Sequence, residues 1–184
     1  LMAFLADRLK VQLRDQGKRH DLVDAVFAPN PVTQRSDDDL VRIVARVEAL
    51  DVFLKTEDGA NLLAGYKRAA NILAAEEKKN KWSAEEAAGQ VDASKLAEPA
   101  EKALWVEVQQ RRPVIDGAVT DGTSFKQAFE EAAKFGPSVA TFFDDVMVMT
   151  EDARLREARL RLMWTLGHLI LQLADVSEIV PQES

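Results

Sequence analysis

Apolar residues recur every three or four positions along most of this chain, which is the spacing of one face of an α-helix. In the N-terminal part this spacing predicts a first helix that ends near Gly17 and a short second helix over 21–27. A third helix should run from a cap at Ser36 or Asp37 to about Lys55, and a fourth, capped by Asp58, should continue to Lys79. No segment alternates apolar and polar residues between hairpin turns, which argues against strands. The sequence therefore predicts an all-α bundle of about six to eight helices.

Proline and glycine divide the C-terminal half of the pattern. We expect Pro113 to kink or interrupt a helix that follows Pro99, and the helix that starts at Thr123 or Ser124 to break at Gly136-Pro137. A shorter helical piece should reach Val146, with the Met-Val-Met run at 147–149 buried at its end. The last long helix should start after Glu151-Asp152 and face inward through Leu155, Leu162, Leu166, Leu169 and Leu173.

Residues 80–98 depart from this pattern, because they are polar and alanine-rich and contain one large apolar residue, Trp82. Such a segment is typical of a mobile insertion or a boundary. A chain of 184 residues is long enough to bury roughly 70% of its unfolded surface. We therefore expect one domain over 1–184, with 80–98 as a possible mobile insertion. Because Leu1 already lies inside an amphipathic pattern, we also expect the chain to be a piece of a longer protein.

The composition offers little material for catalysis. The chain has no cysteine and two histidines, His20 and His168, so disulfides and thiolate metal sites are excluded. No glycine-rich phosphate loop, nucleophile elbow or histidine-based zinc motif is present, and the acidic run at 37–39 is typical of a helix cap. No apolar run approaches the ~20 residues of a membrane span. We predict no active site, metal or cofactor in this chain, and a cytoplasmic protein that does not contact a membrane.

Charge is distributed unevenly along the sequence. The net charge is −7, which by itself argues against a nucleic-acid partner. However, residues 1–20 and 61–81 each hold five basic and two acidic residues, whereas residues 83–146 hold six basic and twelve acidic ones. A basic surface can therefore coexist with an acidic remainder.

The predicted fourth helix combines an apolar and a basic face. Leu62, Tyr66, Ala69 and Leu73 fall on one side, and Lys67, Asn71 and Lys78 share the other, with Arg68 beside them. The small residues Ala64 and Ala75 between the polar ones would let a bulky partner come close. The alternative interpretation is that these cations only solvate the helix.

The predicted last helix carries a second polar cluster opposite its leucines, formed by Arg154, Arg161, Trp164 and His168. Arginine beside an exposed aromatic ring suits an unstacked base, although Trp164 packing against a neighbouring helix is an equally ordinary arrangement. Arg159 falls close to the apolar side, so we expect a structural ion pair with Asp144 or Asp145.

Three segments resemble a known family. They are Tyr-Lys-Arg-Ala-Ala-Asn-Ile-Leu at 66–73, residues 4–27, and residues 142–179, which open with Phe-Phe-Asp-Asp-Val-Met-Val-Met. In this order they resemble the C-terminal anticodon-binding region of the beta subunit of bacterial heterotetrameric glycyl-tRNA synthetase, a DALR-type helical module that arginyl-tRNA synthetases share. The chain departs from the expected Arg-Asn-Arg-Leu-like run, since Glu157-Ala158 precede Arg159-Leu160, so no role of that asparagine is transferred.

The resemblance implies a function for the chain within a larger enzyme. The full enzyme would join glycine to tRNA-Gly using ATP, with the reaction in the separate alpha subunit. This chain would hold the anticodon end of the tRNA and contact the alpha subunit and the remainder of the beta subunit. The alternative is a helical protein-protein interaction module that does not bind RNA.

The RNA-binding residues that we predict under this interpretation have three kinds of role. Lys67, Arg68 and Lys78 are candidates for phosphate contacts, Asn71 for a base edge or a ribose hydroxyl, and Arg161 with Trp164 for stacking. Arg14 and Arg154 complete the predicted set. Arg14, Lys67, Arg68 and Arg161 should converge in the folded chain on one continuous surface for a polyanion.

Overall fold

The computed structural model describes residues 2–30, 37, 39–79, 82–83, 90–122 and 124–179. Over these residues it contains eight α-helices and no strand, which confirms the all-α prediction. The helices are α1 (Met2–Asp15), α2 (His20–Phe27), α3 (Leu40–Lys55), α4 (Glu57–Lys78), α5 (Pro99–Asp121), α6 (Phe125–Ala133), α7 (Phe135–Asp145) and α8 (Ala153–Leu171). Short 3-10 turns span Ala93–Lys95 and Val176–Glu178. No helix in the described part of the chain is long and apolar enough to cross a membrane.

Side-chain caps fix where several helices begin. Asp39 accepts hydrogen bonds from the backbone amides of Val41 and Arg42 at the start of α3, which confirms that the acidic run supplies a cap. Of the two residues predicted as this cap, Asp37 was wrong, since it accepts from the amide of Asp39 and pairs with Arg42, and Ser36 lies outside the described residues. The predicted cap of α4 was wrong. Thr56, whose backbone is extended, caps this helix by accepting from the amide of Gly59 at 3.0 Å, and Asp58 lies inside the first turn, where its backbone is already helical.

One predicted interruption is absent and another lies at a different position. α5 runs without a break through Pro113, and a kink at Pro113 stays a prediction. A proline inside a helix costs about 3 kcal/mol, but Leu104, Val108 and Ile115 are fully or almost fully buried on both sides of it, and each such burial contributes about 1.5–3 kcal/mol.

The break between α6 and α7 falls at Lys134 and leaves Gly136-Pro137 in the first turn of α7. Proline is tolerated there because first-turn amides have no intrahelical partner.

The Met-Val-Met run is only partly buried, contrary to the prediction. Val148 is 6% exposed, whereas Met147 is 75% and Met149 40% exposed. These residues follow the end of α7 and are not helical, so neighbouring side chains point to different sides. Burial therefore alternates along the chain, with Val146 and Val148 inside.

α4 is the centre of the bundle and packs most extensively against α7 and then against α8. A Cβ atom at Gly65 would lie 2.2 Å from Cγ1 of Val139, so the close approach of α4 and α7 requires glycine at this position. Against α8, the Tyr66 ring lies beside Gly167, where a Cβ would be 3.7 Å from the ring. The predicted inward leucines of α8 are buried from Leu162 onward, and Leu155 is half-buried.

Arg159 forms the structural ion pair that its position predicts, but with a different partner. Its Nε donates to Oε2 of Glu101 at 2.7 Å, and the two side chains are 4% and 0% exposed. Its Nη1 donates to the carbonyl oxygen of Met147 at 2.7 Å. Asp144 and Asp145 are exposed at the end of α7. Glu101, in the first turn of α5, faces α8 across the core, and no local pattern links residues so far apart in sequence.

Residues 80–98 are described in part, since 80–81 and 84–89 lie outside the described residues. Within the described part, Trp82 and Val91 are each 8% exposed and Leu96 is 3% exposed. These side chains belong to the hydrophobic core. That 80–98 forms a mobile insertion in a single domain over 1–184 stays a prediction.

Candidate nucleic-acid interface

α4 presents the two faces that its sequence predicts. Leu62, Tyr66 and Ala69 are buried, and Leu73 is half-buried beside them. On the outer side Arg68, Asn71 and Lys78 are exposed and Lys67 is half-buried. We call these four outer residues the basic face of α4. Ala64 and Ala75 are exposed between them, which keeps this surface low.

The two neighbouring cations of the basic face lean to opposite edges of α4. Nζ of Lys67 lies 3.5 Å from the carbonyl oxygen of Ser177, just beyond α8. The Arg68 guanidinium lies over the ring of Phe143 in α7, 4.8 Å from its centroid. A cation over an aromatic face keeps its charge while its position is fixed. The basic face therefore spans the width of α4 between its two neighbours.

The cations of the basic face lack the carboxylate partners that most other cations in the described residues have. Within the described residues, no carboxylate oxygen lies within 4.0 Å of the charged nitrogens of Lys67, Arg68 or Lys78. In contrast, Lys79 directly after α4 bonds to the buried Glu76 at 2.8 Å. Cations that are paired elsewhere include Lys18, Arg19, Arg46, Lys55, Arg111, Lys134 and Arg159. An unpaired cation on an exposed surface can meet an anionic ligand without first losing an internal partner.

The outer side of α8 carries the second predicted cluster. Arg154 is exposed in the first turn, which Asp152 caps, and it has no carboxylate partner among the described residues. Arg161 is more constrained, because its Nη2 bonds to Glu157 at 2.6 Å and its Nη1 donates to the carbonyl oxygen of Gln90 at 3.3 Å. It would have to give up these contacts to stack on a ligand.

Trp164 is half-buried and stacks on His168, with ring centroids 3.7 Å apart and an interplanar angle of 24°. Nδ1 of His168 lies 3.1 Å from the carbonyl oxygen of Trp164, and since a carbonyl can only accept, Nδ1 carries the proton. Burial lowers the pKa of His168 below its ordinary value, and this outweighs the opposite effect of the Trp164 hydrogen bond. The imidazole is therefore mostly neutral at pH 7 and acts as a flat support for the indole.

The structure brings most of the predicted residues onto two helices in contact. Lys67, Arg68, Asn71 and Lys78 lie on α4, and Arg154, Arg161 and Trp164 lie on α8, which α4 meets through Tyr66 and Gly167. Arg14 is different, since it lies on α1, which packs against α2, and its Nη2 bonds to Asp24 at 3.2 Å. Convergence of Arg14 with the other cations stays a prediction.

Sequence reasoning missed one wall of the surface around Trp164. Trp105, Gln109 and Arg112 of α5 line a pocket together with Trp164. Their spacing of four and then three residues places them on one side of a helix, and this signal was present in the sequence. It was obscured because Pro113 indicated an interrupted helix.

No group of three or more metal-ligating side chains is present among the described residues. Among the acidic residues near the ends of helices, Asp39 acts as a cap and Glu101 as an ion-pair partner. What the surface of α4 and α8 offers is binding: unpaired cations, an exposed amide at Asn71, and an aromatic ring.

Two comparisons with known proteins bear on this surface. Residues 62–182 match the model of the DALR anticodon binding domain family, a range that contains the C-terminal part of α4 and all of α5 to α8. Over 179 residues, or 97% of its length, the chain is 49% identical to the glycine-tRNA ligase beta subunit of Phenylobacterium zucineum (strain HLK1). The chain covers 25% of the length of this relative.

Proposed function

Because the chain belongs to the DALR anticodon-binding domain family, we propose that it binds the anticodon end of tRNA-Gly as part of a glycine-tRNA ligase beta subunit. The relative that is 49% identical carries that name. In this proposal the chain holds the tRNA but does no chemistry, and ATP-dependent glycylation takes place in the alpha subunit. The further partners are the remainder of the beta subunit and the alpha subunit, and the cytoplasm is the compartment.

One observation of the structure carries the proposal. The chain has a net charge of −7, and more than half of the lysines and arginines in the described residues pair with a carboxylate. Lys67, Arg68 and Lys78 are among those that do not, and they share one side of α4. All three lie within the range that matches the family. RNA phosphates are the partner that such a row of cations fits, and the exposed bases of an anticodon loop are accessible to protein side chains.

The chain would contribute to glycylation by positioning the tRNA. An RNA held at its anticodon end places its acceptor end at a fixed distance, and orientation alone can account for a large part of a rate enhancement. Contacts that a wrong anticodon leaves unsatisfied would provide discrimination. We assign phosphate contacts to Lys67, Arg68 and Lys78 and a base or ribose contact to Asn71. Arg154 and Arg161 would contact the RNA at the edge of this surface that α8 forms.

Affinity measured across salt concentrations tests this function. If four phosphates are neutralised, the plot of log affinity against log salt should have a slope of roughly −3, from about −0.7 to −0.9 per contact. We expect tRNA-Gly to bind more tightly than a version with an exchanged anticodon. Equal affinity for the two RNAs would reject anticodon recognition.

Paired charge variants locate the surface. Lys67→Gln with Arg68→Gln should weaken binding and make the slope less steep by roughly 2, since each phosphate contact contributes about one unit. Lys126→Gln with Lys134→Gln, at exposed positions of α6 and directly after it, removes the same charge elsewhere and should leave the slope nearly unchanged. If both pairs reduce the slope equally, the basic face of α4 is the wrong surface.

A second function is favoured by a different observation. α3 and α6 enclose an apolar groove of about 410 Å³ lined by Ala49, Val52, Phe53, Phe129 and Ala133, and Val52 is 61% exposed. Such a groove suits the apolar face of a partner helix. A protein-protein interaction module of this kind would show no binding of tRNA-Gly and little dependence on salt.

A further inference from the structure

A pocket between α5 and the outer side of α8 offers a binding site apart from the basic face of α4. Its walls are formed by Trp105 and Pro113 of α5, by Trp164 of α8, and by Gln90, Val91 and Ala93. Gln109 and Arg112 contribute exposed side chains. We call it the α5-α8 pocket. Its volume of about 580 Å³ lies within the roughly 300–1,000 Å³ of small-molecule sites.

The indole of Trp164 is held in place before any ligand arrives. The imidazole of His168 covers part of it at a centroid distance of 3.7 Å and is itself fixed by its hydrogen bond to the Trp164 carbonyl. The indole also lines the pocket, and Trp105 lines it from α5. A flat ligand that enters therefore meets aromatic surface that needs no reordering, which lowers the entropic cost of binding.

Two adjacent arginines on α5 have different surroundings. Arg111 bonds to Glu131 at 2.8 Å and lies 3.5 Å from Glu107, so it serves the packing of α5 against α6. Arg112 lines the α5-α8 pocket and has no carboxylate within 4.0 Å among the described residues. An exposed guanidinium beside two indoles is free to donate hydrogen bonds to a ligand in the pocket.

The side chains of this pocket match the chemistry of a nucleobase. Aromatic rings offer stacking to either face of a base, and the Gln109 amide offers both a donor and an acceptor. Arg112 offers donors alone, so it fits best a base edge with two neighbouring acceptors, such as O6 and N7 of guanine or O2 and N3 of cytosine.

We propose that the α5-α8 pocket receives one unstacked base of an RNA loop, stacked on Trp164 or Trp105, with its edge hydrogen-bonded by Gln109 and Arg112. This inference rests on the proposed function and adds a base-recognition site to the phosphate contacts of α4. It identifies Trp105, Gln109 and Arg112, three side chains of α5, as determinants of specificity.

RNA hairpins that lack one base test the proposal directly. The full 184-residue chain is titrated with anticodon stem-loops of tRNA-Gly, each with a single abasic nucleotide at a different loop position. One abasic position should weaken binding by roughly 5- to 150-fold, as expected for one stacked base. In Trp164→Leu the intact hairpin should already bind that much more weakly, and the abasic change at the same position should then have little further effect.

Arg112→Gln provides a variant that leaves the core intact, because Arg112 is exposed and bonds to no side chain of the described residues. It should also remove part of the effect of the abasic position. Lys102→Gln is the matched control, since Lys102 is exposed on the same helix and lies outside the pocket. It should reduce affinity slightly for all hairpins and leave the abasic effect at full size.

The outcomes separate this inference from the function on which it rests. If the chain binds tRNA-Gly but the abasic effects in Trp164→Leu and Arg112→Gln equal those in the unmodified chain, no base enters the pocket and the proposed function survives. If the unmodified chain binds no hairpin at any salt concentration, both proposals fail. A full abasic effect at one loop position that nearly disappears in Trp164→Leu and becomes smaller in Arg112→Gln supports the pocket.

Discussion

The buried pair of Glu101 and Arg159 gives the most quantitative prediction. Its side chains are 0% and 4% exposed, so solvent does not screen the interaction as it does at a surface. Arg159→Met leaves Glu101 as a buried carboxylate without its ionic partner. Breaking a buried pair in this way costs about 3–5 kcal/mol, which is a large part of the 5–15 kcal/mol that typically stabilises a domain.

The loss of stability in Arg159→Met is limited by the hydrogen bonds that Glu101 keeps. Its Oε1 also accepts hydrogen bonds from the backbone amides of Ala97 and Glu98, so the carboxylate is not fully deprived of partners in the variant. We therefore expect the lower part of the range, about 3 kcal/mol in the free energy of unfolding at pH 7. At about 2–4 °C per kcal/mol for a chain of this size, the melting temperature should fall by roughly 6–12 °C.

The pH dependence of stability provides the signature of the pair. Burial by itself would raise the pKa of Glu101, but the hydrogen bond from Arg159 and those from the backbone amides outweigh it and hold the pKa below its ordinary value. A depressed pKa means that the stabilisation is present above the unfolded value of 4.5 and is lost as the pH falls through the folded value. In Arg159→Met this loss should be smaller, because the pKa of Glu101 is no longer lowered by the arginine.

Urea unfolding followed by circular dichroism between pH 3.5 and about 7 measures both effects. Lys134→Met is the control, since Lys134 is 54% exposed and pairs with Glu131 at the surface, where a pair contributes about 0–1 kcal/mol. The reasoning is refuted if Arg159→Met and Lys134→Met destabilise the chain equally. Parallel stability curves for the unmodified chain and Arg159→Met across the acidic range would refute the assignment of the pH dependence to this pair.

Three further predictions concern positions in or next to α4. Gly65→Ala should destabilise the fold by about 1–3 kcal/mol in urea unfolding, because the added Cβ would lie 2.2 Å from Val139. Gly117→Ala in α5 is the control, since a Cβ at this position has no atom within 4 Å, and it should stabilise the fold by up to about 1 kcal/mol. Thr56→Ala should cost about 1 kcal/mol in the same assay by removing the cap of α4, and Thr56→Ser should recover most of it. Burial, with a smaller effect from Asp175, raises the pKa of Tyr66 to about 12. This is the single tyrosine of the chain, so tyrosinate absorbance should stay absent at pH 10 to 11 in the folded state. The free energy of unfolding should decline from about pH 10 to about 12. A titration midpoint near pH 10 for the tyrosine of the folded protein would show that the phenol is not buried.

What the sequence predicted well was the local periodicity. The helical type of each segment and the inward face of α4 follow from spacing alone, because a helix exposes one side of a regular repeat. Two of the predictions that failed depended on contacts between distant segments. Pro113 is compatible with a continuous helix because residues on both sides of it are buried, and Arg159 meets Glu101 instead of a neighbouring aspartate because α5 and α8 pack together.

The candidate site shows the same limit. Lys67, Arg68, Asn71 and Lys78 share the outer side of one helix, so their grouping was predictable. That Trp164 and Trp105 line the same pocket was not predictable, since the two residues lie on different helices and the sequence does not show how these helices pack. Whether Arg14 belongs to this surface likewise depends on how α1 packs, which local spacing does not predict. Arg14 pairs with Asp24 of α2, which gives it a structural role.

The placement of charge in this chain has a physical consequence for selectivity. Lys79 neutralises the buried Glu76, and Arg111 and Lys134 converge on Glu131, so these cations contribute little to the field outside the protein. The uncompensated cations on α4 then lie next to a surface whose remaining charge is acidic. In the proposed function, a polyanion would be attracted to the cations that lack carboxylate partners, which include those of α4 and also Arg112 and Arg154, and repelled by the acidic remainder, and this favours a single docking orientation over general adsorption. A uniformly basic domain would bind RNA more strongly but in many orientations, and only a fixed orientation lets contacts such as those of the α5-α8 pocket distinguish one RNA loop from another.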